Sequence, residues 1–390
     1  MKTADMLIVG GGVIGLSIAF HLSERAPGLR VVVADAGTIG SGSRGQASPA
    51  AAGMLAPFAE AHADGPLVRL GAASLDSYPA FIDAARSAAG VNGDSLLAIT
   101  GSGMLRVART PREVMRLKSD FAWQASFDRG MELLSGNAAR EREPELSPHI
   151  RMVVYSPRER QVDPRRLLHT LLAACRVRGV EICEEASVTR VVGSATSVSV
   201  EVGGQPVSCG NLIVAGGAWS RALGCLIGVS LPVAPVRGQI LALQPPPGMS
   251  PIRHTLYTAG VYLVPRPEGR IVVGATEEPD AGFDREVRPA DTERLCAAAL
   301  TLAPTLRGVP LDGPAWTGLR PASPDGLPLL GRLPGLPNVW VATAHYRNGI
   351  LLAPITGDII SRELLGDTPH PRFAPEFCAD RFGAERKDPQ

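Results

Sequence analysis

The first forty residues alternate between short apolar runs and one longer helical pattern. Residues 6–9, "MLIV", are apolar throughout, which predicts a short buried parallel strand. Residues 13–25 then follow the spacing of a helix, and "RVVVAD" predicts a second buried strand that ends at Asp35. The order strand, helix, strand predicts that the chain begins with a parallel α/β unit.

Later segments repeat this pattern and add a second kind of sheet. Residues 162–182, "VDPRRLLHTLLAACRVRGVEI", predict an amphipathic helix that runs into a strand. "SVTRVV", "SVSVEV" and "PVSCG" alternate as a β meander would, "LIVAGG" returns to the first sheet, and "GQILALQ", "GVYLVPR" and "RIVVGAT" read as antiparallel strands. "NGILLAPITGDIISREL" predicts a helix that begins near Gly349, with Pro354 in its first turns. The fold class is therefore α/β (α+β overall), with a Rossmann-like domain and a second, antiparallel-sheet domain.

Composition narrows the function classes. Hydrophobic residues make up 45% of the 390 residues and charged residues 20%, as in a folded globular protein. The formal net charge is +1 with no basic stripe, which argues against a nucleic-acid partner. Six scattered cysteines form no Cys-x-x-Cys pair, so we expect reduced and mostly buried thiols, no metal site and a cytoplasmic protein. The apolar start is rich in glycine and has no basic cluster, so we expect neither a signal peptide nor a membrane span.

The segment "GGGVIG" fits the glycine pattern of a dinucleotide-binding turn. Gly10 would allow the tight turn, Gly12 would let the backbone approach a pyrophosphate, and Gly15 would let the helix pack closely. The helix N-terminus supplies free N–H groups for the phosphates, and Asp35 can accept hydrogen bonds from the adenosine ribose. An acid at this position disfavours NADP, whereas NAD and FAD both remain open.

Two further segments favour a flavin over NAD. Residues 40–57, "GSGSRGQASPAAAGMLAP", are small and flexible where an NAD domain would continue into another strand and helix. A second glycine turn lies in "NLIVAGGAWS", residues 211–220, at the end of a predicted strand. Both fit backbone that lies against an extended dinucleotide.

Eight segments, in order along the chain, resemble the glycine oxidase branch (ThiO-type) of the D-amino-acid-oxidase-like FAD-dependent enzymes. They are "GGGVIGLSIAFHL", "SPAAAGMLAP", "VDPRRLL", "VAGGAWS", "PVRGQI", "YLVPR", "GLRPASPDGLPLLG" and "HYRNGILLAP". On this resemblance we expect a discontinuous FAD-binding domain of residues 1–85, 156–231 and 318–390, and a substrate-binding domain of residues 86–155 and 232–317.

The resemblance also implies a set of cofactor contacts around non-covalent FAD, since none of the cysteines falls in a flavin-type motif. These expected contacts are Gly10, Gly12, Val13, Ile14, Gly15, Asp35, Ala36, Ala47, Ser48, Ala52, Gly53, Met54, Val188, Gly216, Gly217, Trp219, His345, Arg347, Asn348, Gly349, Ile350 and Leu351. The tight turn Asn348-Gly349 and the following helix would place N–H groups at the flavin.

A planar cation is the expected anchor for the carboxylate of a small amino acid, because arginine binds carboxylate through two hydrogen bonds. Arg237, Arg320 and Arg347 are candidates. The resemblance implies that Arg320 and Tyr262 hold the carboxylate, with Arg347 nearer the flavin, and we assign the catalytic role to these three residues. Met54 and Glu277 are further candidate substrate contacts, although Glu277 could instead face solvent. Gly260 stands where the family usually has a polar side chain, which predicts a more open pocket.

The expected activity is the oxidation of glycine, sarcosine and small D-amino acids by hydride transfer to flavin N5. The products would be the imine, then a 2-oxo acid and ammonia, with O2 reduced to H2O2. No catalytic base is required if the amine arrives neutral. The resemblance further implies a homo-oligomer (a tetramer) and delivery of the imine to thiazole synthase in thiamine biosynthesis. A flavin dehydrogenase that passes electrons to a carrier or quinone, a flavin-binding protein without turnover and an NAD-dependent dehydrogenase are the alternatives.

Overall fold

This computed structural model describes residues 2–90, 98–193, 196–247, 249 and 252–382. The strands are β1 (Lys2–Val9), β2 (Val31–Ala34), β3 (Met54–Leu55), β4 (Met104–Ala108), β5 (Glu132–Ser135), β6 (Met152–Ser156), β7 (Arg160–Gln161), β8 (Glu181–Cys183), β9 (Val188–Gly193), β10 (Val198–Val202), β11 (Gln205–Val214), β12 (Ala234–Leu243), β13 (Thr255–Tyr257), β14 (Tyr262–Pro265), β15 (Ile271–Gly274), β16 (Trp316–Ala322), β17 (Leu329–Arg332) and β18 (Val339–Thr343). The helices are α1 (Val13–Arg25), α2 (Ala47–Ala50), α3 (Pro66–Ala88), α4 (Pro111–Gln124), α5 (Gly136–Arg142), α6 (Pro164–Val177), α7 (Ser220–Ile227), α8 (Pro289–Leu302) and α9 (Gly349–Leu365).

The first sheet has the order β17-β18-β11-β1-β2-β8 and is parallel except for β17. Helices α1, α3, α6 and α9 pack together over one face, while β9 and β10 extend from β11 and bury apolar side chains on the other. The segments "PVSCG" and "LIVA", predicted as separate elements, form the single strand β11. Its first half pairs with β10, and along most of its length it also pairs with β1.

The second sheet has the order β16-β12-β15-β14-β13-β4-β6-β5. Its pairs are antiparallel apart from β13 with β4, which come from distant parts of the chain. Strand β16 pairs with β12 from Ala234 opposite Ala322 to Ile240 opposite Trp316. The predicted domain boundary at residue 318 therefore falls inside a strand of this sheet. A strand of this length can join either sheet, and only the three-dimensional pairing decides between them.

Helix α9 begins at Gly349, as the sequence predicts, and Pro354 lies in its second turn. Proline has no N–H, so the carbonyl of Ile350 loses its normal helical donor. The buried hydroxyl of Tyr78 on α3 donates to that carbonyl at 2.5 Å, and Ser74 on the same helix donates to the Leu351 carbonyl at 2.6 Å. Helix α3 therefore holds the start of α9 in place.

All six cysteines are free thiols. The prediction that most of them are buried is wrong, because only Cys175 and Cys209 are buried and Cys225 is exposed. Within the described ranges, none of the helices combines the length and the apolar character that crossing a bilayer requires.

Candidate functional site

A cavity of about 710 Å³ lies between the two sheets. Residues that follow β1, β2, β11 and β18 line one part of it, and residues of β12, β14 and β16 line the other. Ligands of open parallel sheets bind outside the carboxyl ends of the strands, where these loops meet. The cavity therefore occupies the position that the glycine motif predicts for a dinucleotide.

The first glycine turn has the geometry that the motif predicts. Gly10 has a φ of +115°, which disfavours a side chain, and a Cβ there would lie 2.3 Å from the Ala215 carbonyl oxygen. A Cβ on Gly15 would lie 1.9 Å from the carbonyl oxygen of Gly10. Gly12 caps α1, and the Val13 N–H donates to the hydroxyl of Ser48 at 3.2 Å. The start of α1 thus faces the cavity with backbone donors, as phosphate binding requires.

Asp35 lines the cavity at the end of β2. Its two carboxylate oxygens accept hydrogen bonds from the N–H groups of Gly11, at 2.7 Å, and Gly37, at 2.8 Å. These bonds fix the carboxylate, and because a carboxylate has about four acceptor positions, capacity remains for ribose hydroxyls.

The cavity brings together most of the expected cofactor contacts. Those that line it are Gly10, Gly12, Val13, Ile14, Asp35, Ala36, Ala47, Ser48, Ala52, Gly53, Met54, Val188, Gly216, Gly217, Trp219, His345, Arg347, Asn348, Gly349 and Ile350. Gly15 and Leu351 do not line it. Gly15 packs closely against the carbonyl group of Gly10 in the turn, and Leu351 is buried in the core that α9 shares with α3.

The tight turn before α9 lies two residues earlier than the sequence predicts. Tyr346 and Arg347 form the turn, and the Asn348 N–H donates to the His345 carbonyl at 2.8 Å. Ala344 and Tyr346 have positive φ angles of 60° and 49°, whereas Gly349 is already helical. The Asn-Gly pair suggested the turn, but here Asn348 caps the helix.

Arg320 presents a guanidinium to the cavity. Its Nη1 donates to the Thr276 carbonyl at 3.1 Å and approaches the Arg237 carbonyl at 3.4 Å. Among the described residues Arg320 forms no ion pair, and burial lowers the pKa of its guanidinium below the ordinary value. A Cβ on Gly238 would lie 2.2 Å from Arg320 Nη1, so only glycine at that position leaves room for this side chain.

Tyr262, which is the first residue of β14, lies beside Arg320 and also lines the cavity. A Cβ on Gly274, directly across from it on β15, would lie 2.4 Å from its hydroxyl oxygen. Burial raises the pKa of Tyr262, so its hydroxyl remains a neutral hydrogen-bond donor at physiological pH. Arg320 and Tyr262 together form a cationic and hydrogen-bonding surface that suits a carboxylate.

Arg347 differs from Arg320 because it pairs with two carboxylates. Its Nη1 donates to Glu60 and its Nη2 to Glu277. The hydroxyl of Tyr346 also donates to Glu277, and that of Tyr257 donates to Glu60 at 3.1 Å. We call these five residues the Arg347 cluster. All five line the cavity, so Glu277, for which a solvent-facing position was the alternative, belongs to the cavity wall.

Arg237, the remaining arginine candidate, lies outside the cavity lining. Its side chain is 0% exposed and pairs with Glu278 and Asp284. It therefore stabilises the second sheet and cannot reach a ligand in the cavity.

His345 lines the cavity and is held there as a neutral, buried ring. Its Nε2 lies 3.0 Å from the hydroxyl of Thr356, and burial lowers its pKa to about 3. The unfolded chain protonates this ring below about pH 6.5, whereas the folded chain protonates it only near pH 3. The free energy of unfolding therefore falls as pH falls from 6.5 towards 3, by about 1.4 kcal/mol per pH unit for this group.

We expect the His345→Gln variant to lose this dependence. Between pH 6.5 and pH 5 its free energy of unfolding should fall by about 2 kcal/mol less than that of the wild type, as measured by urea unfolding. His149→Gln, at an exposed histidine, is the matched control and should follow the wild type. Equal pH slopes for wild type and His345→Gln would contradict the neutral, buried ring.

Sequence reasoning missed several residues that the fold brings to the cavity. They include Arg44, Gln46, Glu60 and Tyr257. Glu60 and Tyr257 meet only because the loop after β3 folds over β13, and the two residues are 197 positions apart. The one available signal was an acid within the largely apolar stretch that follows Met54.

The residues present fit a flavin dinucleotide. The acid at the end of β2, the glycine turn, the start of α1 and the start of α9 all line the cavity. The first N–H groups of a helix have no partners within it, and Gly349 and Ile350, the first two residues of α9, are among the lining residues. Two helix starts that line one cavity suit a ligand with a pyrophosphate and an electron-rich ring.

Comparison with known proteins gives a consistent result. Residues 5–363 match the family model described as FAD dependent oxidoreductase. The chain is 33% identical over 360 residues to a glycine oxidase of Geobacillus kaustophilus, covering 92% of each chain. It is also 33% identical over 368 residues to a bifunctional protein ThiO/ThiG of Nostoc sp., covering 92% of this chain and 52% of that protein.

Similarity extends to three dimensions. The crystal structure of glycine oxidase from Geobacillus kaustophilus superimposes on this chain with a TM-score of 0.90 at 31% identity, covering 98% of this chain and 99% of that one.

Proposed function

The chain belongs to the family of FAD-dependent oxidoreductases, and from this premise we propose that it oxidises glycine and other small amines such as sarcosine and small D-amino acids. The observation that carries the proposal is the unpaired guanidinium of Arg320 beside the hydroxyl of Tyr262, within the cavity that holds the cofactor. A small amino acid offers its carboxylate as the strongest handle, and this pair of groups suits it. Two of the similar proteins are named glycine oxidase and bifunctional protein ThiO/ThiG, and these names support glycine as a substrate.

FAD is the cofactor of this family, and the residues around the glycine turn would hold it. Backbone N–H groups at the start of α1 would bind the pyrophosphate, and Asp35 would bind the ribose. The N–H groups at the start of α9 would face the flavin ring. When bound, FAD would accept one hydride, and with it two electrons, from the substrate and would pass these two electrons to O2, forming H2O2.

The chain's own contribution is positioning. Arg320 would bind the carboxylate through two hydrogen bonds, and Tyr262 would donate a third. With the carboxylate fixed, the α-carbon is held in one orientation, and orientation of this kind can supply much of the rate of a bimolecular step. The balanced reaction converts glycine, O2 and water into glyoxylate, ammonia and H2O2.

No group in the described cavity wall is placed as a general base near neutral pH. His345 stays neutral and is occupied by Thr356, while Glu60 and Glu277 are paired with Arg347. The substrate amine would therefore have to be neutral when the α-carbon is oxidised.

Partners and location are part of the same proposal. A relative named ThiO/ThiG joins two functions in one chain, which supports delivery of the imine product to thiazole synthase. The resemblance further implies a homo-oligomer, and the free thiols support a cytoplasmic location.

The proposal is tested by measuring H2O2 released under air by purified, FAD-loaded protein. We expect peroxide from glycine, sarcosine and D-alanine, with one peroxide per amine consumed. Bleaching of the flavin without peroxide would instead assign the protein to the dehydrogenases. A flavin that none of these amines reduces would contradict the proposed substrate class.

A further inference from the structure

Two arginines that line one cavity are in opposite electrostatic states. Arg320 forms no ion pair within the described part of the chain, whereas Arg347 is bound by two carboxylates. An unpaired guanidinium can take a ligand carboxylate directly. A guanidinium that already binds two carboxylates can do so only by displacing one of them.

The Arg347 cluster is built from three separate segments. Glu60 follows β3, Glu277 follows β15, and Arg347 precedes α9. The two terminal nitrogens of Arg347 donate to different carboxylates, and each of these carboxylates also accepts a hydrogen bond from a tyrosine hydroxyl. Burial alone would lower the pKa of Arg347, but the charges of Glu60 and Glu277 outweigh burial and raise it. With two acids and one base, the cluster carries one net negative charge.

This negative charge lies close to the predicted carboxylate anchor. The charges of Arg347, Glu277 and Glu60 all act on the guanidinium of Arg320. The cluster is also reachable, because the side chains of Arg347, Glu60 and Glu277 are 27%, 42% and 46% exposed. A second anionic group on a substrate that is bound at Arg320 would therefore meet repulsion from the Arg347 cluster.

Size does not provide the same discrimination. Gly260 lines the cavity, and a Cβ built on it would meet no atom of the described residues within 4 Å. The wall next to Tyr262 is thus open to groups larger than a hydrogen on the α-carbon or nitrogen. Charge, and not size, is therefore the property by which the cavity can discriminate between small amino acids of similar volume.

We propose that Glu277 and Glu60, by neutralising Arg347, make this site selective for amines with a single carboxylate and a neutral or cationic remainder, and exclude amines with a second anionic group. The inference rests on the proposed amine oxidation for its substrate class. Glu277 and Glu60 are then specificity-determining residues, and neither is required for the oxidation itself.

The test compares Glu277→Gln and the double variant E60Q/E277Q with the wild type. Asp280→Asn is the matched control, because it removes one negative charge three residues away from an exposed position outside the cavity lining. For each FAD-loaded protein, kcat/KM is measured with glycine, D-alanine, D-2,4-diaminobutyrate, D-aspartate and iminodiacetate. Dissociation constants of acetate and malonate, which are not oxidised, are measured from the change in the visible spectrum of the bound flavin.

We expect Glu277→Gln to raise the ratio of iminodiacetate to glycine kcat/KM about tenfold, because one unit charge is removed at short range. Malonate should bind about tenfold more tightly while acetate changes less than twofold, and the double variant should shift both ratios further. The ratio of diaminobutyrate to glycine should fall. Asp280→Asn should leave every ratio unchanged.

Ratios that change less than twofold in both Glu277→Gln and the double variant would overturn the inference. Tighter malonate binding by Glu277→Gln, together with no oxidation of any amine, would sustain the charge selection and overturn the proposed function. The binding measurements with malonate and acetate therefore distinguish a failure of the charge selection from a failure of the proposed amine oxidation.

Discussion

Arg320→Ala is expected to lower kcat/KM for glycine about a thousandfold and to leave the bound FAD in place. The variant removes a guanidinium of the described cavity wall that has no carboxylate partner and lies beside the hydroxyl of Tyr262. Truncating one partner of a desolvated charge pair costs about 2–5 kcal/mol, and a thousandfold loss corresponds to about 4 kcal/mol. Steady-state kinetics and the visible flavin spectrum would be measured on the same sample.

Two further variants show whether the guanidinium itself is responsible. Arg320→Lys retains a charge but loses the planar, two-pronged geometry, so it should recover only part of the activity. Gly238→Ala keeps Arg320 and places a methyl group 2.2 Å from its Nη1, so we expect a raised KM without loss of flavin. Arg129→Ala, at an exposed arginine outside the cavity lining, is the control. Wild-type kinetics in Arg320→Ala would exclude it as the anchor.

Gly15→Ala is expected to yield a protein that is purified without FAD. An alanine Cβ would lie 1.9 Å from the carbonyl oxygen of Gly10, and that oxygen belongs to the backbone of the glycine turn. The turn or α1 must move, and with it the N–H groups that face the cavity. We expect the dissociation constant of FAD to rise by at least about a hundredfold, equivalent to about 2.7 kcal/mol.

The expected loss of FAD is informative because a substitution of glycine by alanine in a helix normally has the opposite, stabilising effect. Glycine to alanine within a helix normally stabilises it by about 1 kcal/mol. Gly28→Ala, where a Cβ would meet no atom within 4 Å, is the matched control and should retain FAD. Tight FAD binding by Gly15→Ala, measured by fluorescence titration, would contradict the close approach of α1 to the turn.

The parts of the fold that depend on local sequence could be predicted. The glycine turn, α1, α6 and α9 have signals confined to a few adjacent residues, such as the spacing of Gly10 and Gly15 or Asp163 followed by a proline. Asp163 indeed caps α6, where its carboxylate accepts from the N–H groups of Arg165 and Arg166 at 2.9 Å and 3.1 Å. Local chemistry of this kind is readable without knowledge of the rest of the chain.

The charge arrangement of the site could not be predicted in the same way. Glu60, Glu277 and Arg347 are ordinary charged residues in sequence, and their pairing depends on how three distant loops meet. The same limit explains why the predicted boundary at residue 318 falls inside β16, because strand pairing across the sheet is a long-range property. The sequence predicted many residues that line this cavity, but not which of its arginines pair with carboxylates.

The placement of β1 at the centre of the first sheet has a consequence for biosynthesis. Strand β1 needs β11 on one side, and α1 needs α9 against its face, yet Gly349 is made about 340 residues after Gly10. At translation rates of about 5–20 residues per second, the glycine turn leaves the ribosome roughly 20 to 70 seconds before the cavity can close. Until β11 has been synthesised, about 200 residues after β1, the nascent chain exposes an unpaired edge of β1, which makes it prone to aggregation. Binding of FAD by the complete cavity therefore has to wait until α9 has been synthesised.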